Sequence, residues 1–550
     1  MAENSLPDTA IVTLSESELA ELAPFGSERA VAAGEVLYRA GDEGYDFIVV
    51  LEGEVEIVRS APDGDVQVAV HDAGRFLGEL NLLTGQRAYL TARVTKPGRI
   101  LSIGHDAFRQ MLSSKPQLSD VIFRAFVARR EFLRAGEGAG AIRIMGSRYS
   151  PEAMALRAFA NRTRLPHTWI DLEDVADAAG LLATVGATVD DTPVVQMPTE
   201  VLRHPTPGEF AERLGLTFRP APGYLCDLVV VGTGPAGLAA AVYGASEGLD
   251  TISLDATGIG GQAGSSSRIE NYVGFPNGIS GEDLAARAAI QAQRLGARLN
   301  APCAVAGLRV EHGFHVIVLA DGSELPARAV IVASGARYRR LAVDDLERFE
   351  GAGVYYAATD LEARICSRLD VIVVGGGNSA GQAAIYLAQQ KCGVRLVVRR
   401  DSLVETMSHY LIERVEADPH IEVVANTEVR AVAGESHLGQ VTLEHTQTGE
   451  RSTVTCSGLF CFIGAEPATG WLSGCVALDR AGFIITDRSL SDAMTGTEYT
   501  ARAPLPFETS LPGVFAVGDV RQGSLKRVAA AVGEGSSAVR SVHEYLTTSA

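Results

Sequence analysis

Gly232, Gly234 and Gly237 form a GxGxxG turn between the apolar run LCDLVVV and the small-residue stretch PAGLAAAVYGAS. Each glycine answers a separate steric demand: a tight turn, close approach of backbone to a pyrophosphate, and close packing of helix on strand. Pro235 and Ala236 complete the turn, and Asp255 stands at the end of the next strand, where an acid takes a ribose hydroxyl. A second turn, Gly375, Gly377 and Ala380 with Asn378 and Ser379 between them, follows the strand-like RLDVIVV as GxGxxA. Its next strand ends in Arg399 and Arg400. Two guanidiniums suit a 2′-phosphate that an acid would repel, and a solvated strand end is the plain alternative. The chemistry on offer is therefore dinucleotide binding, twice.

A chain of 550 residues exceeds what one hydrophobic core serves, so about three or four domains are expected. A formal charge of -19 argues against a nucleic-acid partner. Seven cysteines are scattered with no CxxC, the usage of a reducing compartment where lone thiols are small buried hydrophobes. The start MAENSLPDTA has neither a basic segment nor an apolar one, and no apolar run approaches a membrane span. A cytoplasmic protein with no membrane partner is the expectation.

At the front, Ser15 is a plausible N-cap for ESELAEL, and then FIVVL and EVEIV alternate between glycine corners, which predicts a small antiparallel barrel or jelly roll. With AGDEG and FLGELNLL, residues 1–135 resemble the cyclic-nucleotide-binding domain family. The resemblance implies that Gly78 opens an anion-binding turn, Glu79 takes a ribose hydroxyl and Arg87 neutralises a cyclic phosphate, which makes a cyclic nucleotide a candidate ligand. The loop between Glu79 and Arg87 looks shorter than the family pattern, and RAYLTA departs from it. A scaffold or dimerising module is the alternative, with SDVIFRAFVARREFL as an amphipathic helix behind it.

Residues 141–218 change rhythm to strand, helix, strand, strand, helix. With the turn TPVV they resemble the glutaredoxin and thioredoxin-like fold, which implies a cis bond before Pro193. The segment GSRYSPEA, where that fold carries its dithiol, has no cysteine, so docking or spacing is the expected role.

From residue 223 onward the chain resembles the thioredoxin reductase family of two-domain flavoproteins. The runs that carry the resemblance are the first glycine turn, GIGGQAG, RIENYVGFPNGISG, VIVASGARYRRL and PGVFAVGDVRQGSLKRVAAAVGEG. They imply an FAD-binding domain over 223–340 and 467–550, with Gly261, Gln262, Asn271, Ala333 and Gly335 beside the cofactor. Gly518 and Asp519 would meet the ribityl chain, and Lys526, Arg527 and Val528 would open a helix aimed at the flavin. The second turn and the arginine pair imply an NAD(P)H-binding domain over 341–466, with NADPH preferred and NADH the alternative; the family's third arginine is Val404 here. The fold class is thus multidomain α/β: an N-terminal β jelly roll, a thioredoxin-like α/β domain, then two Rossmann-like domains.

The family's redox pair CATC falls on GVYYAATDLE, so Ala357 and Asp360 stand at the cysteine positions and Leu361 replaces the following acid. Without adjacent thiols no internal disulfide receives electrons. Cys366 is a single thiol, and Cys461 lies in an apolar strand. Asp360 is the one candidate proton donor, with an exposed loop carboxylate as the plain alternative. The expectation is an FAD-dependent, NADPH-oxidising reductase with an unidentified acceptor, such as a small redox protein, regulated by a cyclic nucleotide and assembled as a homodimer. A redox or cyclic-nucleotide sensor with little turnover, or a thioredoxin-disulfide reductase using an external thiol, are the rival readings.

Overall fold

The computed structural model describes residues 9–59, 64–79, 81–84, 86–135, 142–217, 223–266, 268–358, 360–472, 474–490, 499 and 502–548. Contacts separate two compact units, one built chiefly from residues 1–147 and 155–221, the other chiefly from 222–289 and 304–550.

In the first unit the alternating run FIVVLEGEVEIVR forms the strand Phe47–Arg59, which buries Phe47, Val49, Val55 and Ile57. It pairs antiparallel with Val66–Asp72 and with Thr91–Ile103, and the latter also takes Ser27–Val31 and Val36–Tyr38, giving a five-stranded antiparallel sheet. The helix Glu16–Leu22 starts at Ser15 with a reciprocal capping box to Glu18. The long helix Pro116–Ala135 turns Ile122, Phe126, Arg129, Arg130 and Leu133 to its buried face, at helical spacing. Phe126 meets Phe47 at 6.2 Å between ring centroids, and Phe47 stacks on Phe108 at 4.6 Å.

Residues 142–217 form a four-stranded sheet in the order His167–Asp171, Ile142–Gly146, Val194–Gln196, Val201–Arg203, with the first pair parallel and the others antiparallel. The helices Pro151–Arg162 and Pro207–Arg213 accompany it. A further helix, Ala178–Ala183, is capped by Asp177 and has no counterpart in the sequence reading. The Thr192–Pro193 peptide is cis, as expected, and so is Ala301–Pro302. The two front segments read as separate domains share one hydrophobic cluster, in which Ile48, Leu90 and Leu133 pack with Ile142, Leu156, Phe159 and Phe210.

The second unit holds two doubly wound sheets. In the first, Cys226–Val231 lies parallel to Thr251–Leu254 and to Glu324–Val332, and Val514–Ala516 from the C-terminal segment adds parallel to Glu324–Val332. Buried on both faces, these strands read as continuous apolar runs. The second sheet is parallel throughout, in the order Val354–Tyr355, Gly458–Cys461, Asp370–Val374, Gly393–Val397, Ile421–Val424. A ribbon of Ala336–Tyr338 with Ala465–Pro467 marks where the chain leaves the first sheet and returns.

Candidate functional site

Each glycine turn sits where its first strand passes into a helix, the crevice position at which open α/β sheets bind ligands. Gly232 has φ +112°, and a Cβ there would overlap the carbonyl of Ala333, so the turn admits glycine alone. A Cβ on Gly237 would overlap the Gly232 carbonyl, which is the close helix-to-strand packing expected of the third glycine. Gly234 differs: a Cβ there would touch only the Gly261 Cα at 3.9 Å. Its bareness relieves no clash of its own, but a Cβ on Gly261 would come within 2.9 Å of the Gly234 Cα, so the two bare backbones lie against each other and form the floor of a cradle. The helix Pro235–Ser246 begins at that cradle with Pro235 in its first turn, so the backbone amides there, including that of Ala236, have no intrahelical acceptor.

Asp255 is committed to the turn itself. One carboxylate oxygen accepts from the Thr233 amide at 2.8 Å and its hydroxyl at 3.0 Å, and the other accepts from the amides of Thr257 at 3.0 Å and Gly258 at 3.1 Å. The acid therefore clamps the glycine loop, an arrangement its position alone did not reveal. Gln262 likewise donates its side-chain amide to the Ala336 carbonyl, while Asn271 lies exposed on its loop. Ala333 is buried, and the Gly335 carbonyl accepts from the Ala468 amide at 3.0 Å.

Asp519 follows Gly518, and no described residue donates a hydrogen bond to its carboxylate. Burial holds its pKa above the usual 3.8, against a lowering pull from Lys526, whose Nζ donates to the Asp519 carbonyl at 3.3 Å. A half-buried, uncommitted acceptor is what a polyhydroxyl chain would use. Arg527 is exposed, and the helix Val528–Thr548 starts directly after it. These features, with the Gly234 cradle, fit a flavin dinucleotide.

At the second turn Gly375 has φ +141°, and a Cβ would overlap the Phe462 carbonyl. Gly377 caps the helix Asn378–Gln389, Ser379 is exposed, and Ala380 is fully buried. Asn378 is engaged, accepting from the Ser408 amide at 2.7 Å. Arg399 and Arg400 are exposed, at 3.7 Å from Glu428 and 2.6 Å from Glu405 respectively. Such surface pairs are worth about 0 to 1 kcal/mol, so a phosphate can replace the carboxylates at little cost.

Asp360 opens the helix Asp360–Ile365, but its side chain, like that of Leu361, lies outside the described residues. Cys366 donates toward the Ser457 carbonyl at 4.0 Å and Cys392 to the Cys366 carbonyl at 3.2 Å. Cys366, Cys456 and Cys461 are buried, and burial pushes each thiol up to about 12, so at neutral pH they are protonated and unreactive.

In the front sheet, Gly78 has φ +107°. Glu79 accepts from Arg130 Nε at 2.7 Å and Nη2 at 3.1 Å, and Arg130 also reaches Asn81 Oδ1 at 2.6 Å. Arg87 pairs with Glu43 at 2.5 Å. Both residues expected to hold a cyclic nucleotide thus hold protein charges here. Arg129 and Arg130 escaped the sequence reading; their signal was a pair of arginines on the apolar face of an amphipathic helix.

Comparison with known proteins matches residues 226–535 to the family model described as pyridine nucleotide-disulphide oxidoreductase. Residues 28–115 match the cyclic nucleotide-binding domain. A thioredoxin reductase from Treponema pallidum is 33% identical over 322 residues, covering 58% of this chain and 97% of that protein. One from Mycolicibacterium smegmatis is 34% identical over 312 residues, covering 57% and 94%. Among solved structures, Lactococcus lactis thioredoxin reductase aligns with TM-score 0.53 at 29% identity, over 59% of this chain and 99% of that one.

Proposed function

Because the chain belongs to the pyridine nucleotide-disulphide oxidoreductase family, within its thioredoxin reductase-like NAD(P)H-dependent FAD oxidoreductases, we propose that it is an NADPH-oxidising reductase that passes electrons to an external acceptor without an internal dithiol. The observation that carries this reading is the absence of any CxxC in the sequence, together with the burial of Cys366 and Cys461. When bound, FAD and NADPH supply hydride and electron transfer.

The protein's own residues bind and orient. The amides at the start of Pro235–Ser246, opposite Gly261, would hold the flavin pyrophosphate, and Asp519 would accept from the ribityl hydroxyls. The start of Val528–Thr548 would present its positive end. At the second turn the amides after Gly377 would hold the other pyrophosphate, and Arg399 with Arg400 would grip a 2′-phosphate. Asp360 is the candidate proton donor at the position where the family has a cysteine.

The front unit is read as a regulatory module with a cysteine-free thioredoxin-like domain as docking surface or spacer. The four-stranded sheet supports that reading. A cyclic nucleotide as its ligand rests on the family match at residues 28–115. A flavin reduction rate unchanged by saturating cyclic AMP or cyclic GMP would count against it. We further read the assembly as a cytoplasmic homodimer; among the described residues no helix is long and apolar enough to cross a membrane.

Anaerobic addition of NADPH tests the central reading. Rapid bleaching of the flavin, then turnover with an added one-electron acceptor that survives Cys366→Ser and Cys461→Ser, is the expected result. Bleaching without turnover favours the sensor reading, and turnover lost with either serine variant overturns the thiol-free path.

A further inference from the structure

Beside Gly78 and Glu79 the front sheet forms a half-open cavity of about 60 Å³. Its walls include Ile57, Val68, Leu90 and Phe132, together with Tyr38 and Tyr45. Among the described residues Arg129 and Glu79 line it, Arg130 is buried behind Glu79, and the Glu79 carboxylate is taken by Arg130.

Arg129 is 6% exposed and lies over the Phe76 ring at 4.6 Å. Its Nε donates to the Ala10 carbonyl at 3.0 Å and its Nη1 to the Gly78 carbonyl at 2.7 Å, while Nη2 has no acceptor among the described residues. Burial lowers its pKa only to about 10, so it stays charged at neutral pH. His71, 4% exposed, lines the same cavity with Nδ1 unpartnered. Burial, then the neighbouring Arg129 and Arg75, hold its imidazole neutral, able to donate from one ring nitrogen. A buried guanidinium nitrogen without an acceptor and a buried imidazole nitrogen without a partner are both costly to the fold. One anion with two acceptor oxygens would answer both.

Size and polarity narrow the class. A water needs roughly 10 to 15 Å³ of such space, so the cavity as it stands holds the equivalent of about five waters. Arg87, the expected phosphate partner, is not part of its wall. We propose that this cavity binds a small apolar carboxylate, of about benzoate size, with its carboxylate on Arg129 and His71 and its hydrocarbon against the aliphatic and aromatic walls. The inference does not use the redox reading of the second unit, and its test does not measure turnover.

Isothermal titration of the full-length protein with benzoate, isobutyrate, benzyl alcohol and 3′,5′-cyclic AMP decides it. Saturable binding of a carboxylate, with benzyl alcohol weaker by about tenfold or more, is expected from the charge-assisted contact. Arg129→Lys keeps the charge but loses the fork, and should weaken binding by about tenfold. Because Arg129 also holds two carbonyls, Ala69→Phe provides a second variant: it fills the cavity from the strand Val66–Asp72 and touches no charge. It should abolish binding with far-UV dichroism unchanged. Cyclic AMP binding tighter than the carboxylates, benzyl alcohol binding as well as benzoate, or no saturable heat from either carboxylate at about 10 mM would each overturn the proposal, the last leaving water as the occupant.

Discussion

Both carboxylate oxygens of Glu79 are held by the Arg130 guanidinium, at 2.7 and 3.1 Å, across 51 positions of sequence. The pair is buried, with side-chain exposures of 11% and 4%. Removing one partner of such a pair strands the other charge. Arg130→Gln should therefore lower stability by about 3 to 5 kcal/mol, read as a fall in the melting temperature of the front unit. Glu79→Gln together with Arg130→Met should restore much of that loss.

Asp519 faces the opposite situation, a carboxylate with no partner. Its folded pKa is raised by burial, so its contribution to stability is fully present below the ordinary carboxylate value of 3.8 and is lost as pH rises through the raised one. Asp519→Asn removes that loss. The cofactor-free variant should melt higher than wild type at pH 7, with the two curves converging near pH 4 in scanning fluorimetry. Fluorimetric titration should show FAD binding about tenfold weaker or worse, because the acceptor has been exchanged for an amide.

His315 is buried with both ring nitrogens unpartnered, and burial depresses its pKa from 6.5 to about 4. A depressed histidine costs stability as pH falls from 6.5 toward 4, by an amount on the order of 3 kcal/mol across the window. His315→Phe should be neutral or stabilising at pH 7 and should flatten the acid limb of a melting-temperature profile between pH 6.5 and 4.

Arg399→Ala with Arg400→Ala should leave the melting temperature within about 1 °C, since both arginines sit in exposed ion pairs. The effect belongs in the nucleotide: KM for NADPH rising by about 10- to 100-fold with KM for NADH little changed. Equal losses for both nucleotides would assign the pair to the strand end alone.

What could be read from the sequence was what local sterics dictate. Gly232 and Gly375 are legible because their carbonyl neighbours, Ala333 and Phe462, leave no room for a side chain, and the strand and helix patterns around them are short-range. The Ser15 cap and the buried face of Pro116–Ala135 follow from spacing of the same kind. Less was legible where one residue has several available partners. Asp255 stands where a ribose would be met, yet its oxygens close on Thr233, Thr257 and Gly258, and Glu79 closes on Arg130. Those choices depend on tertiary neighbours that spacing does not encode. The unpartnered nitrogen of Arg129 could be recognised only inside the folded sheet.

The cluster that joins Leu133 and Leu90 to Leu156 and Phe159 also bears on how the front of the chain can be handled. Excising the antiparallel sheet would expose the greasy side of its neighbour to water, and the reverse cut would do the same. The two front segments are therefore expected to melt in a single step.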